Sequence, residues 1–105
     1  MTYCFDIDGT ICTLTNGDYK KAKPIQDRID LINKLYADNH TIIFHTARGM
    51  GRFKNNAEEA QSLKSITRKQ LDNWDVNYHE LFMGKPAADL YIDDKGLSDE
   101  KFFGN

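Results

Sequence analysis

The sequence predicts an α/β domain of the doubly wound type, built on a mostly parallel sheet. Three observations predict it. The apolar periodicity alternates along the chain as strand, helix, strand, helix, strand, strand. One segment, Thr41-Ile42-Ile43-Phe44-His45, is the continuous β-branched and aromatic run expected of a central parallel strand buried on both faces. The residues best suited to chemistry fall just after the strands, where open α/β sheets bind ligands.

Each element follows from local pattern. Tyr3-Cys4-Phe5-Asp6-Ile7-Asp8 reads as the first strand, and because strand side chains alternate, Asp6 and Asp8 share a face. Asp8-Gly9 between apolar residues is also a hairpin signal. Residues 12–23 are polar, with a turn signal at Asn16-Gly17-Asp18, and predict an irregular flap or small hairpin. Pro24 suits the first turn of a helix. Ile25, Ile29, Ile32 and Leu35/Tyr36 then recur at helical spacing, closed by Asp38-Asn39.

After the second strand, residues 47–56 form a loop with Gly49 and Gly51. A second helix is expected from about Ala57 to Trp74, with Leu63, Ile66/Thr67, Leu71 and Trp74 facing inward. A third strand at Leu81-Phe82-Met83 leads through Gly84-Lys85-Pro86 to a last strand at Leu90-Tyr91-Ile92, ended by Asp93-Asp94. Phe102 and Phe103 in the tail either fold back on the core or cover a neighbour.

Composition narrows the function. At 105 residues the chain reads as one domain, 1–105, with no internal repeat, low-complexity stretch or linker. Its 14 basic and 16 acidic residues give a formal charge of -2, no footprint for nucleic acid or an anionic membrane. No apolar run approaches the roughly 20 residues of a membrane span. The N-terminal residues lack the basic and apolar regions of a signal peptide. Cys4 and Cys12 form no Cys-x-x-Cys pair and are too few for a zinc site or disulfide framework. Both read as reduced, Cys4 in the core, in keeping with a cytoplasmic setting.

The strand ends carry the chemistry. Asp6 and Asp8 end the first strand, Thr46-Ala47-Arg48 follow the second, Lys85 follows the third, and Asp93-Asp94 end the fourth. Each alone has a bland reading as a strand-end, surface or capping residue. Together they bring four carboxylates, a hydroxyl and two cations to one sheet edge. Carboxylates converging without His or Cys ligands suit a hard, oxygen-liking cation such as Mg2+. Thr46, the Lys85 ammonium and backbone N–H groups after Asp6 would hold phosphoryl oxygens. Asp6 could then attack phosphorus, and Asp8, on the same face, could protonate the leaving oxygen. Arg48 either contacts substrate phosphate bidentately or braces a carboxylate. His45 reads as a sheet histidine, and His40 and His79 as surface or strand-edge residues.

These segments resemble the four motifs of the haloacid dehalogenase-like (HAD-like) phosphohydrolases over nearly the whole chain. "DIDGT" looks like the first, "FHTAR" the second, "GKP" the third and "LYIDD" the fourth. The resemblance implies a Rossmann-like sheet flanked by helices, with Asp6 as nucleophile and Asp8 as general acid/base. It also implies phosphate binding by Thr46 and Lys85, and Mg2+ held by Asp6, the Asp8 backbone carbonyl and the Asp93/Asp94 pair, Asp93 being the first choice of the two. More closely, "DIDGTICTLTNGDYKKAKPI", "HTARGM" and "GKPAADLYIDD" are similar to a family of compact capsular polysaccharide biosynthesis phosphatases.

Residues 12–23 leave room only for a flap and no cap domain, so a large substrate or a second copy in a homo-oligomer would cover the site. The expected substrate is a small phosphorylated molecule, a sugar phosphate or related metabolite. Lys20, Lys21 and Lys23 in the flap, with Arg48, Arg52 and Lys54, could attract a polyanion, and a solvated charged face is the plainer reading. The alternatives are a polynucleotide 3'-phosphatase, which the net charge disfavours, and a non-catalytic phosphosugar-binding module, which would have no need of both Asp6 and Asp8.

Overall fold

The structure, a computed structural model, describes residues 1–51 and 54–104. Three strands, β1 (Thr2–Phe5), β2 (Thr41–Thr46) and β3 (Glu80–Met83), pair in parallel in the order β1-β2-β3. Tyr3 lies opposite Ile42 and Phe5 opposite Phe44, while Phe44 faces Leu81 and Thr46 faces Met83. Helix α1 (Gln26–Ala37) carries the chain from β1 to β2. From β2 to β3 it runs through α2 (Ala57–Ala60), a 3-10 turn (Gln61–Leu63) and α3 (Lys64–Asn73). A short α4 (Asp99–Phe103) follows the sheet.

The winding decides which sheet face is buried. Parallel crossovers are right-handed almost without exception, and two that step the same way across a sheet deliver both helices to one face. The core accordingly gathers Phe5, Ile42, Phe44 and Leu81 from the sheet, with Ile29 and Ile32 of α1 and Leu71 of α3. The alternate residues are left outside. Cys4 is exposed, not in the core; Ile43 and His45 are half-buried, and Phe82 is 51% exposed. The second strand is therefore buried on one face, and its continuous apolar run does not mark a strand covered on both.

Burying the second face would need a strand on the free side of β1, where the winding could reverse. The Leu90-Tyr91-Ile92 segment has the composition for it but belongs to no strand here. All three residues are exposed, Ile92 by 90%. Side-chain bonds hold the backbone otherwise: the Asp93 carboxylate accepts from the amides of Lys95 and Gly96, and the Tyr91 hydroxyl donates to the Pro86 carbonyl. Such local bonds offer the chain an alternative to a ladder.

Two helix boundaries also differ from expectation. Pro24 stays outside α1 and bridges to Cys12, closing the flap; Ile25 donates its amide to Ile11 and, as the N-cap, accepts the Arg28 and Ile29 amides on its carbonyl. The second helix is broken at Gln61–Leu63, where the Ser62 hydroxyl donates back to the Glu59 carbonyl at 2.8 Å. Of the Ile66/Thr67 alternatives, Thr67 faces inward and Ile66 is exposed.

The tail folds back on its own core. Phe102 lies 5.6 Å from Tyr3 and 5.5 Å from Phe5, ring centre to ring centre. Buried Arg28 sits 4.7 Å over Phe103 and donates from Nη1 to Asp99 at 2.7 Å and to the Thr10 carbonyl at 3.0 Å. Among the described residues no helix is long and apolar enough to cross a membrane.

The Arg28 hydrogen bond holds the Asp99 carboxyl below its ordinary range. A depressed folded-state value favours the ionised native form, so the pair stabilises the fold above about pH 4, near the unfolded carboxyl value, and loses that contribution as pH falls through the folded value. Asp99→Asn should cost about 0.5 kcal/mol at pH 7, the scale of a partly exposed pair. The difference from wild type should vanish in acid, read by urea unfolding at pH 7 and pH 3. A deficit that persists unchanged at pH 3 would mean the pair is not its source.

Candidate functional site

Strand alternation continues past the end of β1. Ile7 is fully buried in the core, which turns Asp6 and Asp8 to the opposite side. The chain then turns sharply: Gly9 has φ +83°, and the Thr10 and Ile11 amides both donate to the Ile7 carbonyl. A side chain at Gly9 would be strained by its φ and would meet Leu14 at 3.2 Å. Asp8-Gly9 is thus the entry to the flap and not a hairpin, since β1 pairs in parallel with β2. The Gly9, Thr10 and Ile11 amides are spent inside this turn and do not point to a ligand.

The flap closes on itself. The Thr13 amide donates to the Lys23 carbonyl, and the Lys23 amide donates to Thr13 Oγ1 at 3.0 Å. At its tip Asn16 and Gly17 have φ of 53° and 95°, and the Asp18 amide donates to the Thr15 carbonyl. These are the features of a type I' turn, which Asn-Gly favours.

Arg48 is the centre of the site. It is 1% exposed, and its Nε and Nη2 donate to Asp8 Oδ2 and Oδ1 at 2.8 and 3.0 Å. Nη1 donates to Thr67 Oγ1 of α3 at 3.3 Å, and the guanidinium lies 4.8 Å over the Tyr19 ring. Of the two readings of Arg48, the structure has the carboxylate brace. Cys12 completes the collar: burial and the Asp8 charge push its thiol up to about 12, so it stays protonated and donates to Asp8 Oδ1 at 3.5 Å.

Thr46 and Lys85 stand beside this pair. Thr46, 1% exposed, accepts the Arg48 amide on Oγ1 at 3.1 Å, which leaves its own O–H to donate. Its carbonyl accepts the Lys85 amide at 3.0 Å, tying the turn after β3 to the end of β2. Gly84, at φ +97°, makes that turn where a side chain would press on Ala57 at 3.2 Å. Lys85 Nζ then reaches 3.8 Å from Asp6 Oδ1 and 4.1 Å from the Tyr91 ring centre. Burial pushes the Asp6 carboxyl up, against the pull of Lys85 and the Ile7 amide. Burial, with Lys85 nearby, pushes the His45 imidazole down, so it is neutral at pH 7.

These residues frame one open cleft of about 260 Å³. Asp6, Asp8, Thr46 and Arg48 line it together with Leu14, Thr15 and Tyr19 of the flap. Asp93 and Asp94 are not part of it. They lie exposed, and among the described residues no group of three or more His, Cys, Asp or Glu converges to hold a metal. Of the basic residues expected around the site, Arg48 is buried against Asp8, Lys21 pairs with Asp18 at 3.5 Å, Lys20, Lys23 and Lys54 are exposed, and Arg52 lies outside the described residues. Sequence reasoning missed Tyr19, Thr67 and the Cys12 thiol. An arginine after a strand is a visible signal, but nothing in the sequence marks which hydroxyl or ring will receive it.

No protein-family model matches the chain, and no curated protein matches it. Among solved structures the chain is similar to an MCSG target from Vibrio cholerae, at a TM-score of 0.86 and 28% identity, over 99% of this chain and 88% of that one. The likeness bears on the fold: the molecule is a small α/β protein with a three-stranded parallel sheet, helices packed on it and a flap in place of a large cap. That neighbour carries no functional name.

Removing one partner from a buried ion pair leaves the other charge uncompensated. Arg48→Met should destabilise the fold by about 3–5 kcal/mol, and Arg48→Lys should recover only part, because an ammonium cannot make the paired contacts. Chemical denaturation reads both. A loss below about 1 kcal/mol for Arg48→Met would show that the guanidinium does not hold Asp8 in solution.

Proposed function

We propose that this protein is a phosphomonoester hydrolase working through an aspartyl-phosphate on Asp6, with Mg2+, on a sugar phosphate or related metabolite. The observation that carries this reading is the convergence of Asp6, Asp8 and Thr46 on one cleft from adjacent parallel strands, with the Lys85 ammonium 3.8 Å from Asp6. The four sequence motifs support it, and with it the Rossmann-like fold of the HAD-like enzymes and a role in capsular polysaccharide biosynthesis.

The roles follow from position. Thr46, through its O–H, and Lys85, through its ammonium, hold phosphoryl oxygens where negative charge spreads in the transition state. Asp6 attacks phosphorus as the bond to the leaving oxygen breaks, and Asp8, which must enter this step protonated and with one oxygen freed from Arg48, gives that oxygen its proton. Asp8 then takes a proton from water, whose oxygen attacks the phosphoaspartate, releasing phosphate and restoring Asp6. In the resting arrangement Arg48, itself bonded to Thr67, and the Cys12 thiol hold the ionised Asp8 carboxylate in one orientation. An all-oxygen donor set fits Mg2+, which takes one or two carboxylates and completes its shell with water and phosphate. Asp6 and the Asp8 main-chain carbonyl would hold it, and when bound it neutralises charge on the phosphoryl oxygens. Asp93 Oδ1 is bonded to the amides of its own turn, and the residue lies outside the cleft lining.

The cleft is open, so water is excluded only when the substrate or a second subunit covers it. Hydrolysis of p-nitrophenyl phosphate should require Mg2+ and stop with EDTA. Asp6→Asn should lower it by more than about a thousandfold, as loss of a nucleophile does. Lys85→Ala should lower it by about a hundredfold, the scale of one transition-state donor. Equal turnover by wild type and Asp6→Asn would remove Asp6 from the mechanism.

A further inference from the structure

We infer that Leu14 is a specificity-determining residue: its side chain packs against a hydrocarbon face of the leaving group, so the cleft prefers phosphate esters that present such a face to those hydroxylated all round. This rests on the phosphohydrolase reading above and adds to it a named contact beside the general acid. Exposed leucines are common and singly need no explanation. What marks this one is its place. Leu14 is 75% exposed, lies outside the hydrophobic core, and lines the same cleft as Asp6, Asp8 and Thr46. Its Cδ2 and Cγ lie over Gly9, 3.2 and 3.4 Å from where a Cβ there would stand, in the turn that directly follows Asp8.

The role follows from the neighbours. Asp8 delivers its proton to the leaving oxygen, so the leaving group must come to the turn on which Leu14 lies. Leu14 and the Tyr19 ring are the large apolar groups of the lining, and the Arg48 guanidinium already sits on that ring at 4.8 Å. The flap backbone is fixed on both sides of Leu14: the Thr13 amide donates to the Lys23 carbonyl, and the Thr15 carbonyl accepts the Asp18 amide. The side chain is therefore held at the cleft, solvated, before any ligand arrives. A hydrocarbon face that covers it releases its water with little cost of ordering a loop. A hydroxyl in the same place would give up water and gain no partner from a leucine.

The test compares cyclohexyl phosphate with myo-inositol 1-phosphate, two six-membered carbocycles that differ in their hydroxyls. The intrinsic reactivities of the esters cancel when the ratio of their kcat/KM values is compared between proteins. That ratio, cyclohexyl over inositol, should fall about four- to tenfold in Leu14→Ala, the worth of one or two buried methylenes. It should fall as far in Leu14→Asn, which keeps the size and removes the apolar surface, and Leu14→Met should restore it. The thermal midpoints should stay near that of wild type, because so exposed a side chain contributes little to the fold. An unchanged ratio, or equal losses on both esters, would overturn the inference. The same esters titrated calorimetrically into Asp6→Asn, with and without Leu14→Ala, give a readout independent of turnover. If Leu14→Ala weakens binding of the cyclohexyl ester alone while wild type hydrolyses neither, the hydrolase reading fails and Leu14 stands as a recognition residue. Hydrolysis with no Leu14 effect would do the reverse, and absence of both binding and hydrolysis would overturn both.

Discussion

The buried pair of Arg48 and Asp8 is the constraint on which the rest of the site depends. A guanidinium that is 1% exposed must find partners for its donors, and every partner it finds comes from a different part of the chain. Asp8 comes from the turn after β1, Thr67 from α3, and the Tyr19 ring from the flap. Arg48 itself stands at the end of β2. One side chain thus fixes the relation of the sheet edge, a helix and the flap. Desolvating the pair is costly, and such pairs add little net stability. What this one provides is a single orientation for a carboxylate beside the cleft, and a flap that rests on the same cation.

The sheet places the rest. Two crossovers in one direction make a two-layer domain, with the core on the helical side. Alternation along β1 then sends Tyr3, Phe5 and Ile7 toward the core and Asp6 and Asp8 away from it. The carboxylates can sit together because they face a different layer from the apolar residues between them. Lys85 is brought alongside by a main-chain bond from its amide to Thr46, so the cation near Asp6 is positioned by the sheet edge itself.

Much of this was legible in the sequence, and the parts that were not share a cause. Short apolar runs located all three strands, a period of 3.6 located α1, and the shared face of Asp6 and Asp8 followed from alternation alone. The Asn16-Gly17 turn was visible because its residue types answer a specific backbone need. Failures occurred where tertiary partners decide. A strand pattern at Leu90–Ile92 cannot pair without a neighbour, and Asp93 bonds its own backbone instead. Thr41–His45 looks buried on both faces because apolar content does not say how many layers cover a sheet. Cys4 was misjudged for the same reason. The two readings of Arg48 stayed balanced because a sequence does not reveal which carboxylate lies in reach.

The long reach of these contacts bears on how the molecule assembles. Among the described residues no strand pairs with a near neighbour in sequence: β1 must find β2, and β2 must find β3, across about 35 residues of intervening chain, the kind of topology that folds slowly. The Arg48–Asp8 pair closes a separation of 40 residues, and the Arg28–Asp99 bond one of 71. Arg28 also holds the Thr10 carbonyl, in the turn that follows Asp8. One arginine of α1 therefore ties α4 to the turn that opens the flap. A partly folded chain, however helical, has no site, because the residues that line the cleft come from segments as far apart as Asp6 and Arg48 and meet only when the strands have paired.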